Sequence, residues 1–453
     1  MNECQLAIAV QRKPYKMKRY RIVTVLIKRG GAHVFTFIHC ADLHLDSPLR
    51  GLSERKDLPE EDIKLAARRA LQNLVEMSIE EHVAFIVIAG DLYDGNWEDY
   101  ETGLFFNRCM AQLGEHHIEV FIIRGNHDAA SHMTKELQFP SHVHKLSERQ
   151  PETFVLEDLH VAIHGQGFAQ RDVMDNLVVH YPDAIGGYFN IGILHTSLEG
   201  QQGHAPYAPC RMEDLLHKGY QYWALGHIHK RQVLHEDPPI IYPGNLQGRH
   251  INETGPKGCT LVTVDGSKVK IEHRDLDVLR FYSVQVPLDK VDSDEAFHVA
   301  VSQAIGHVID ANLSYPLVLR IELTGRTSMH ETMLQDRKRY YHEVESAALT
   351  RIGAHVWIEK VEFKTSSLVS HHSQEEQHHA LQVFSQSITS ASIDEEFLQA
   401  FLNEVPQTFR EKMSEYFQSP DATRVDSIQD VLSLIEGAEQ KVLAMLTKGV
   451  DKK

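Results

Sequence analysis

Five apolar runs in the first half of the chain each lead into residues able to bind a metal. Val34–Ile38 precedes Asp42-Leu43-His44, Phe85–Ala89 precedes Gly90-Asp91, and Val120–Ile123 precedes Gly125-Asn126-His127-Asp128. Ile191–Leu194 ends at His195, and Tyr222–Leu225 leads into Gly226-His227-Ile228-His229. Short runs of this kind, rich in β-branched and aromatic residues, read as buried strands. Strands of one sheet whose carboxyl ends all carry Asp, Asn or His bring those side chains to one point. Seven side chains would meet there: Asp42, His44, Asp91, Asn126, His195, His227 and His229. One ion takes roughly four to six ligands, so this set with one shared carboxylate suits two. Residues two apart in an extended segment point the same way, which lets Asp42 act with His44 and His227 with His229. Gly90 allows a tight strand exit, and Asp91 is placed to bridge two cations.

The rest of the composition bounds the class. At 453 residues the chain exceeds one typical domain, and 42% hydrophobic with 24% charged residues is ordinary for a soluble protein. Its longest apolar runs are strand-sized, so no transmembrane helix is expected. Residues Met1–Arg21 lack the pattern of a signal peptide. The cysteines Cys4, Cys40, Cys109, Cys210 and Cys259 are odd in number and form no C-x-x-C pair. That argues against a disulfide framework or a structural zinc site and for a reducing, cytoplasmic setting. A net charge of −17 weighs against tight DNA binding by this chain acting alone. Two bound divalent cations would restore about four positive charges at the site. Of the 30 histidines, pairs such as His116-His117 and His371-His372 read as solvated surface.

Residues 1–33 are basic and without pattern, and strand one is expected from Val34 or Phe35. Lys28-Arg29-Gly30-Gly31 would be encoded by a purine-rich stretch like a bacterial ribosome-binding site, with Val34 as a GTG start. The first 33 residues are therefore expected to be an extension that is not native, against the alternative of a basic arm. From 34 to 275, strands alternate with helical stretches, the first over Asp62–Met77. Strands at Phe154–Leu156 and Leu159–His164 follow, and those at Ile240–Tyr242, Thr260–Val264 and Val269–Arg274 are expected to complete a second sheet. The whole reads as a two-sheet α/β sandwich. A small α/β cap domain spans 276–365, with strands at Phe281–Val286, Pro316–Leu323 and Ala354–Phe363 and helices at Ser293–Asp310 and His330–Ile352. Residues 366–391 read as a polar linker and 392–453 as a helical region for partner docking, with an apolar stripe along Ser427–Leu446.

The series D-x-H, G-D-x-x-D, G-N-H-D, a lone His and G-H-x-H resembles the calcineurin-like metallophosphoesterases, over residues 34 to about 260. The opening Phe37–Asp46 is similar to the SbcD-type DNA exonuclease subunits, and Tyr242–His250 to their YhaO-like branch. The resemblance implies one metal on Asp42, His44, Asp91 and His229, and a second on Asp91, Asn126, His195 and His227. Manganese is the common ion of the family. His127, which this assignment leaves without a metal, would contact the scissile phosphate or protonate the leaving oxygen, with Asp94 keeping it cationic. The resemblance implies that some repair-type relatives carry His where this chain has Asp94, while phosphatases carry Asp, which leaves open how the leaving-group role is shared between two residues. Arg249 and His250 follow a Pro-Gly turn and are candidates for substrate binding; Arg124 and Lys230-Arg231 are candidates for contact with phosphate or DNA backbone.

The expected function is a two-metal DNA phosphodiester hydrolase, an exonuclease subunit of a DNA repair system. It would work with a coiled-coil ATPase of the structural-maintenance type and pair with itself through the phosphoesterase domain. The chain has no G-x-x-x-x-G-K-[ST] loop, so ATP would be the partner's business. The competing readings are a phosphatase or cyclic-nucleotide phosphodiesterase on the same site, and a non-catalytic scaffold. The intact ligand set argues against the scaffold.

Overall fold

The computed structural model describes residues 16–20, 27–29, 32–45, 47, 65–94, 100–130, 138–199, 207–349 and 355–368. In chain order the strands are β1 (Lys16–Tyr20), β2 (Ile27–Arg29), β3 (Ala32–Cys40), β4 (Phe85–Ala89), β5 (Glu119–Ile123), β6 (Val143–Lys145), β7 (Glu152–Leu156) and β8 (Val161–Gly165). There follow β9 (Phe189–His195), β10 (Tyr222–Gly226), β11 (Gln232–Glu236), β12 (Pro239–Tyr242), β13 (Gly258–Asp265), β14 (Lys268–Asp275), β15 (Arg280–Pro287), β16 (Leu317–Thr327) and β17 (Val356–Ser367). The helices are α1 (Ala66–Glu80), α2 (Glu101–Glu115), α3 (Asn126–Ala130), α4 (Met212–Leu216), α5 (Asp294–Asp310), α6 (His330–Gln335) and α7 (Arg337–Leu349).

Two sheets lie face to face. Sheet I runs β14-β13-β3-β4-β5-β6, with β2 paired to β3, and its β3–β6 portion is parallel. Sheet II runs β1-β7-β8-β9-β10-β12-β11. Successive side chains of a strand point to opposite faces, and both faces here are covered. In β4, Phe85, Val87 and Ala89 enter the core between the sheets, whereas Ile86 and Ile88 pack with Leu71 and Leu74 of α1 and Phe106 and Met110 of α2. In β10, Tyr222 and Ala224 face inward and Trp223 and Leu225 face the outer side of sheet II. Phe37 stacks on Phe85 at 5.0 Å and meets Tyr222 edge-on at 5.2 Å, which joins the two sheets. A polar bolt sits beside this stack: the buried His39 donates from Nε2 to the Leu225 carbonyl at 3.1 Å and accepts from the Tyr222 hydroxyl at 2.9 Å.

This arrangement corrects the sequence reading at several points. The strands bearing the candidate ligands belong to two sheets: β3, β4 and β5 to sheet I, β9 and β10 to sheet II. Of the strands expected to complete the second sheet, only β12 does so. β13 pairs antiparallel with β3, and β14 with β13, so both extend sheet I. Residues 1–33 were expected to carry no element, yet β1 lines the edge of sheet II beside β7, and β2 forms a hairpin with β3. Lys18 pairs there with Glu152 at 2.9 Å. The helix expected from Asp62 is described from Ala66, and Ile63 lies outside the described residues. The single helix expected over His330–Ile352 is divided at Asp336, whose carboxylate accepts from the Arg339 backbone and so starts a new helix.

The cap is a parallel sheet β15-β16-β17. Leu317, Leu319, Ile321 and Leu323 of β16 face α5, α6 and α7, and Val318 faces the other way. Val318, Phe281 and Trp357 pack on Ala66, Ile251 and Leu279, which seats the cap on the two-sheet portion. β17 runs through Ser367, into the start of the linker expected over 366–391; beyond Leu368, the rest of that linker and the helices expected over 392–453 lie outside the described residues.

Arg280 anchors the start of the cap. Its guanidinium donates to Asp277 at 3.0 and 3.1 Å, to Asp275 at 2.6 Å and to Asn312 at 3.0 Å, and lies over the Tyr315 ring at 3.5 Å. Removing one partner of a buried ion pair strands the other charge. Arg280→Ala should therefore lower unfolding stability by about 3–5 kcal/mol, read from the shift in urea midpoint. A shift under about 1 kcal/mol, the worth of an ordinary surface pair, would show that the anchor is not a buried one.

Candidate metal centre

The ladder between β3 and β4 continues beyond the strands. Asp42 N–H donates to the Gly90 carbonyl at 3.0 Å, His44 to Asp91 at 3.0 Å and Leu45 to Leu92 at 2.9 Å. These two exits and that of β10 bend by entering left-handed backbone: φ is +53° at Asp42, +43° at His44, +53° at Asp91 and +103° at His227. Non-glycine residues adopt this region rarely, at a cost of about 1–3 kcal/mol each. Here four of the seven candidate ligands do so, and the bends turn their side chains into the gap between the sheet ends. Gly125 is required by proximity, because a Cβ there would collide with the Asp91 carboxylate. Asp128 braces the same loop by accepting from the Gly125 and Tyr93 backbone amides, both at 3.1 Å. Its carboxyl is pushed up to about 7, by burial first and the Asp91 charge second.

Among the described residues, three groups each bring their donor atoms within 4.8 Å of one another: Asp42, His44 and His229; Asp42, Asp91 and His195; and His44, Asp91 and His127. Asn126 Oδ1 stands 2.9 Å from His195 Nε2. The His227 ring meets the His195 ring edge-on at 5.3 Å, and the His227 backbone amide donates to both Asp42 oxygens at 3.0 and 3.1 Å. The residues expected to converge from five strand ends are thus brought together from two sheets.

Protons are assigned by partners. His195 Nδ1 donates to the Ala89 carbonyl at 2.9 Å, and burial lowers this ring's pKa to about 3, so it is neutral. Its Nε2 therefore carries a lone pair, aimed at the Asn126 amide oxygen and, at 3.5 Å, at Asp91 Oδ2. With Asn126 in this orientation and Asp91 ionised, three lone-pair atoms converge on one point. His229 donates from Nδ1 to Glu253 at 2.7 Å, leaving its Nε2 lone pair 3.1 Å from His44 Nε2. Burial, with the charge of Asp91, pushes the Asp42 carboxyl well up, and burial also raises Asp91. Buried carboxylates and imidazole lone pairs without thiolate suit hard or borderline divalent ions.

His127 Nδ1 lies 2.8 Å from Asp94 Oδ1, and Asp94 Oδ2 accepts from Ser47 at 2.7 Å. Burial alone would lower the His127 pKa; the Asp94 hydrogen bond and the Asp91 and Asp94 charges outweigh it and raise it. Arg249 is at the site, 3.7 Å from Asp94 Oδ2 and 3.0 Å from His229 Nδ1. His250 stands at the rim, 3.4 Å from Glu253. Arg124 is instead a buried brace that pairs with Glu148 at 3.0 Å and with the Asp128 carbonyl. Lys230 is exposed and Arg231 partly buried. Sequence reasoning missed Ser47, Glu253 and Lys257, whose Nζ holds the His229 carbonyl at 3.1 Å. Each is a single polar residue in a loop, with no spacing to mark it.

Residues 35–231 match the calcineurin-like phosphoesterase family, and residues 281–366 match the middle domain of the metallophosphoesterase YhaO. The uncharacterized metallophosphoesterase YhaO of Bacillus subtilis is 42% identical over 249 residues, 54% of this chain and 61% of that protein. The match thus spans less than two thirds of that relative. The DNA double-strand break repair protein Mre11 of Sulfolobus acidocaldarius is 23% identical over 66% of this chain and 78% of its own length. The Mre11 of Sulfurisphaera tokodaii is 25% identical over 54% and 64%.

Asp91→Asn removes the carboxylate common to two of the three donor groups. After dialysis against Mn2+, elemental analysis should find fewer than two ions per chain. The melting temperature of the metal-free protein should not fall, because one of two mutually repelling buried carboxylates is gone. Two retained ions would contradict a shared role for Asp91.

Proposed function

We propose that this chain, a calcineurin-like metallophosphoesterase with a YhaO-type middle domain, is a two-metal DNA phosphodiester hydrolase that acts as an exonuclease subunit. The observation that carries the reading is the convergence of buried ligand atoms: Asp42, Asp91 and His195 lie within 4.8 Å of one another, as do Asp42, His44 and His229, and Asn126 Oδ1 stands 2.9 Å from His195 Nε2. The likeness to two proteins named for DNA double-strand break repair supports DNA as substrate. Asp42, His44, Asp91 and His229 would hold one ion, and Asp91, Asn126, His195 and His227 the other. Two divalent cations held there, manganese as the resemblance implies and as a donor set without thiolate allows, would supply an activated water and charge to neutralise phosphate oxygens.

The protein's own groups do the rest. With Nδ1 engaged by Asp94, His127 meets the substrate through Nε2, as donor to the leaving oxygen. Asp94 keeps that ring oriented and cationic. Arg249 and His250 bind phosphate, Arg249 from a position beside the Asp94 carboxylate that also holds His127. The ATPase partner, docking on residues 392–453, supplies DNA affinity that a chain of net charge −17 lacks. A homodimer through the phosphoesterase portion and a cytoplasmic setting complete the proposal.

The direct test is hydrolysis with Mn2+ of end-labelled linear duplex, closed circular DNA and a small phosphodiester. Release of nucleotides from linear duplex is expected, and activity on the small ester alone would defeat the nuclease reading. His127→Ala should keep both ions and lose DNA hydrolysis by about 10²–10⁴-fold, with a smaller deficit on nitrophenyl esters, which need no protonation. An equal deficit on both would mean that His127 binds phosphate and is not an acid. Deleting residues 390–453 should spare metal binding and small-ester hydrolysis, since all seven proposed ligands precede residue 230. Pull-down with the coiled-coil ATPase should be lost; unchanged capture would remove the docking assignment.

A further inference from the structure

Glu253 is the most heavily engaged side chain near the centre that no motif marks. It is 7% exposed, and both its oxygens are in use. Oε1 accepts from His229 Nδ1 at 2.7 Å and from the Arg249 guanidinium at 3.3 Å, and His250 Nε2 stands 3.4 Å away. Oε2 accepts from the Arg249 backbone amide at 2.7 Å and from Asn245 Nδ2 at 2.8 Å. These partners come from two segments: the end of β10, which presents His229, and the turn of residues 244–253, which presents Arg249. The turn is pressed onto the first segment. Gly244 has φ +82°, and a Cβ there would stand 2.9 Å from the His229 carbonyl. Asn245 N–H donates to that same carbonyl at 3.4 Å.

We propose that Glu253 is a positioning residue of the metal centre. It fixes His229 in the tautomer whose Nε2 lone pair faces His44 and Asp42, and it ties Arg249 to the same edge of the site. Two physical reasons favour this over a plain loop staple. A carboxylate accepting from the far nitrogen of a ligating imidazole makes the near nitrogen a stronger donor, as well as orienting the ring. A staple for the turn alone would need only Oε2, whose two partners both lie in the turn; the shorter of the Oε1 contacts goes to His229. The inference rests on the metal reading above, and it predicts an asymmetry: the ion served by His229 depends on Glu253, and the ion served by His195 does not.

Calorimetric titration of the metal-free full chain with Mn2+ tests it. The wild type should show two binding events. Glu253→Ala should weaken one of them by about 10–100-fold and leave the other unchanged, with the melting temperature of the EDTA-treated protein within a few degrees of wild type. Glu253→Gln, which keeps an acceptor oxygen for His229 but loses the charge, should weaken the same event by a smaller factor. Both events weakened alike would signify a general loosening of the site and overturn the proposal. So would wild-type affinity in Glu253→Ala or, where that variant does not fold, in Glu253→Gln. A wild type that binds no Mn2+ at all would instead bring down the metal reading on which the proposal stands.

Discussion

Two carboxylates, Asp42 and Asp91, lie buried in one site, and their mutual repulsion is the constraint to which the surrounding structure answers. Buried charge of one sign needs compensation close by. Some of it is in the chain. The His227 amide serves both oxygens of Asp42, the His127 amide serves Asp91, and Arg249 adds fixed positive charge. Burial holds His44 and His195 neutral, so these two add lone pairs and no charge. The strained backbone at Asp42, His44, Asp91 and His227 is sustained against this repulsion by the aromatic stack between the sheets and by the His39 bolt beside it.

Much of the site was legible in the sequence, and the reason is geometric. A run such as Phe85–Ala89, apolar at every position, is stable only when covered on both faces, and its exit then falls at a sheet end. Repeated five times, that rule located every candidate ligand. What it could not locate was sheet membership. Burial of a strand follows from its own residues, but its neighbour depends on pairing across the whole chain, so β13 and β14 were assigned to the wrong sheet and the ligand strands to a single one. The division of a cap helix at Asp336 was missed for a related reason: a single Asp competes for one amide without disturbing the apolar pattern.

The cap and the centre meet in the turn that carries Arg249 and Glu253. Gln247, buried in that turn, accepts from the Val278 amide at 3.0 Å and donates to the Leu279 carbonyl at 2.7 Å. Gly255 N–H donates to Phe281 of β15 at 3.0 Å. Lys257, which holds the His229 carbonyl, donates its own amide to Asp277, the partner of Arg280. The base of the cap and the edge of the centre are therefore one hydrogen-bonded body.

The pairing of β3 with β13 joins residues 34–39 to residues 260–265. A ribosome making this chain releases β3 long before its neighbour exists. Closing so long a loop is entropically slow, and until it closes Asp42 and His44 hang from a sheet missing one side. A nascent chain just short of residue 260 already holds all seven candidate ligands but lacks the strand that flanks residues 34–39, so the support beneath Asp42 and His44 comes late in synthesis.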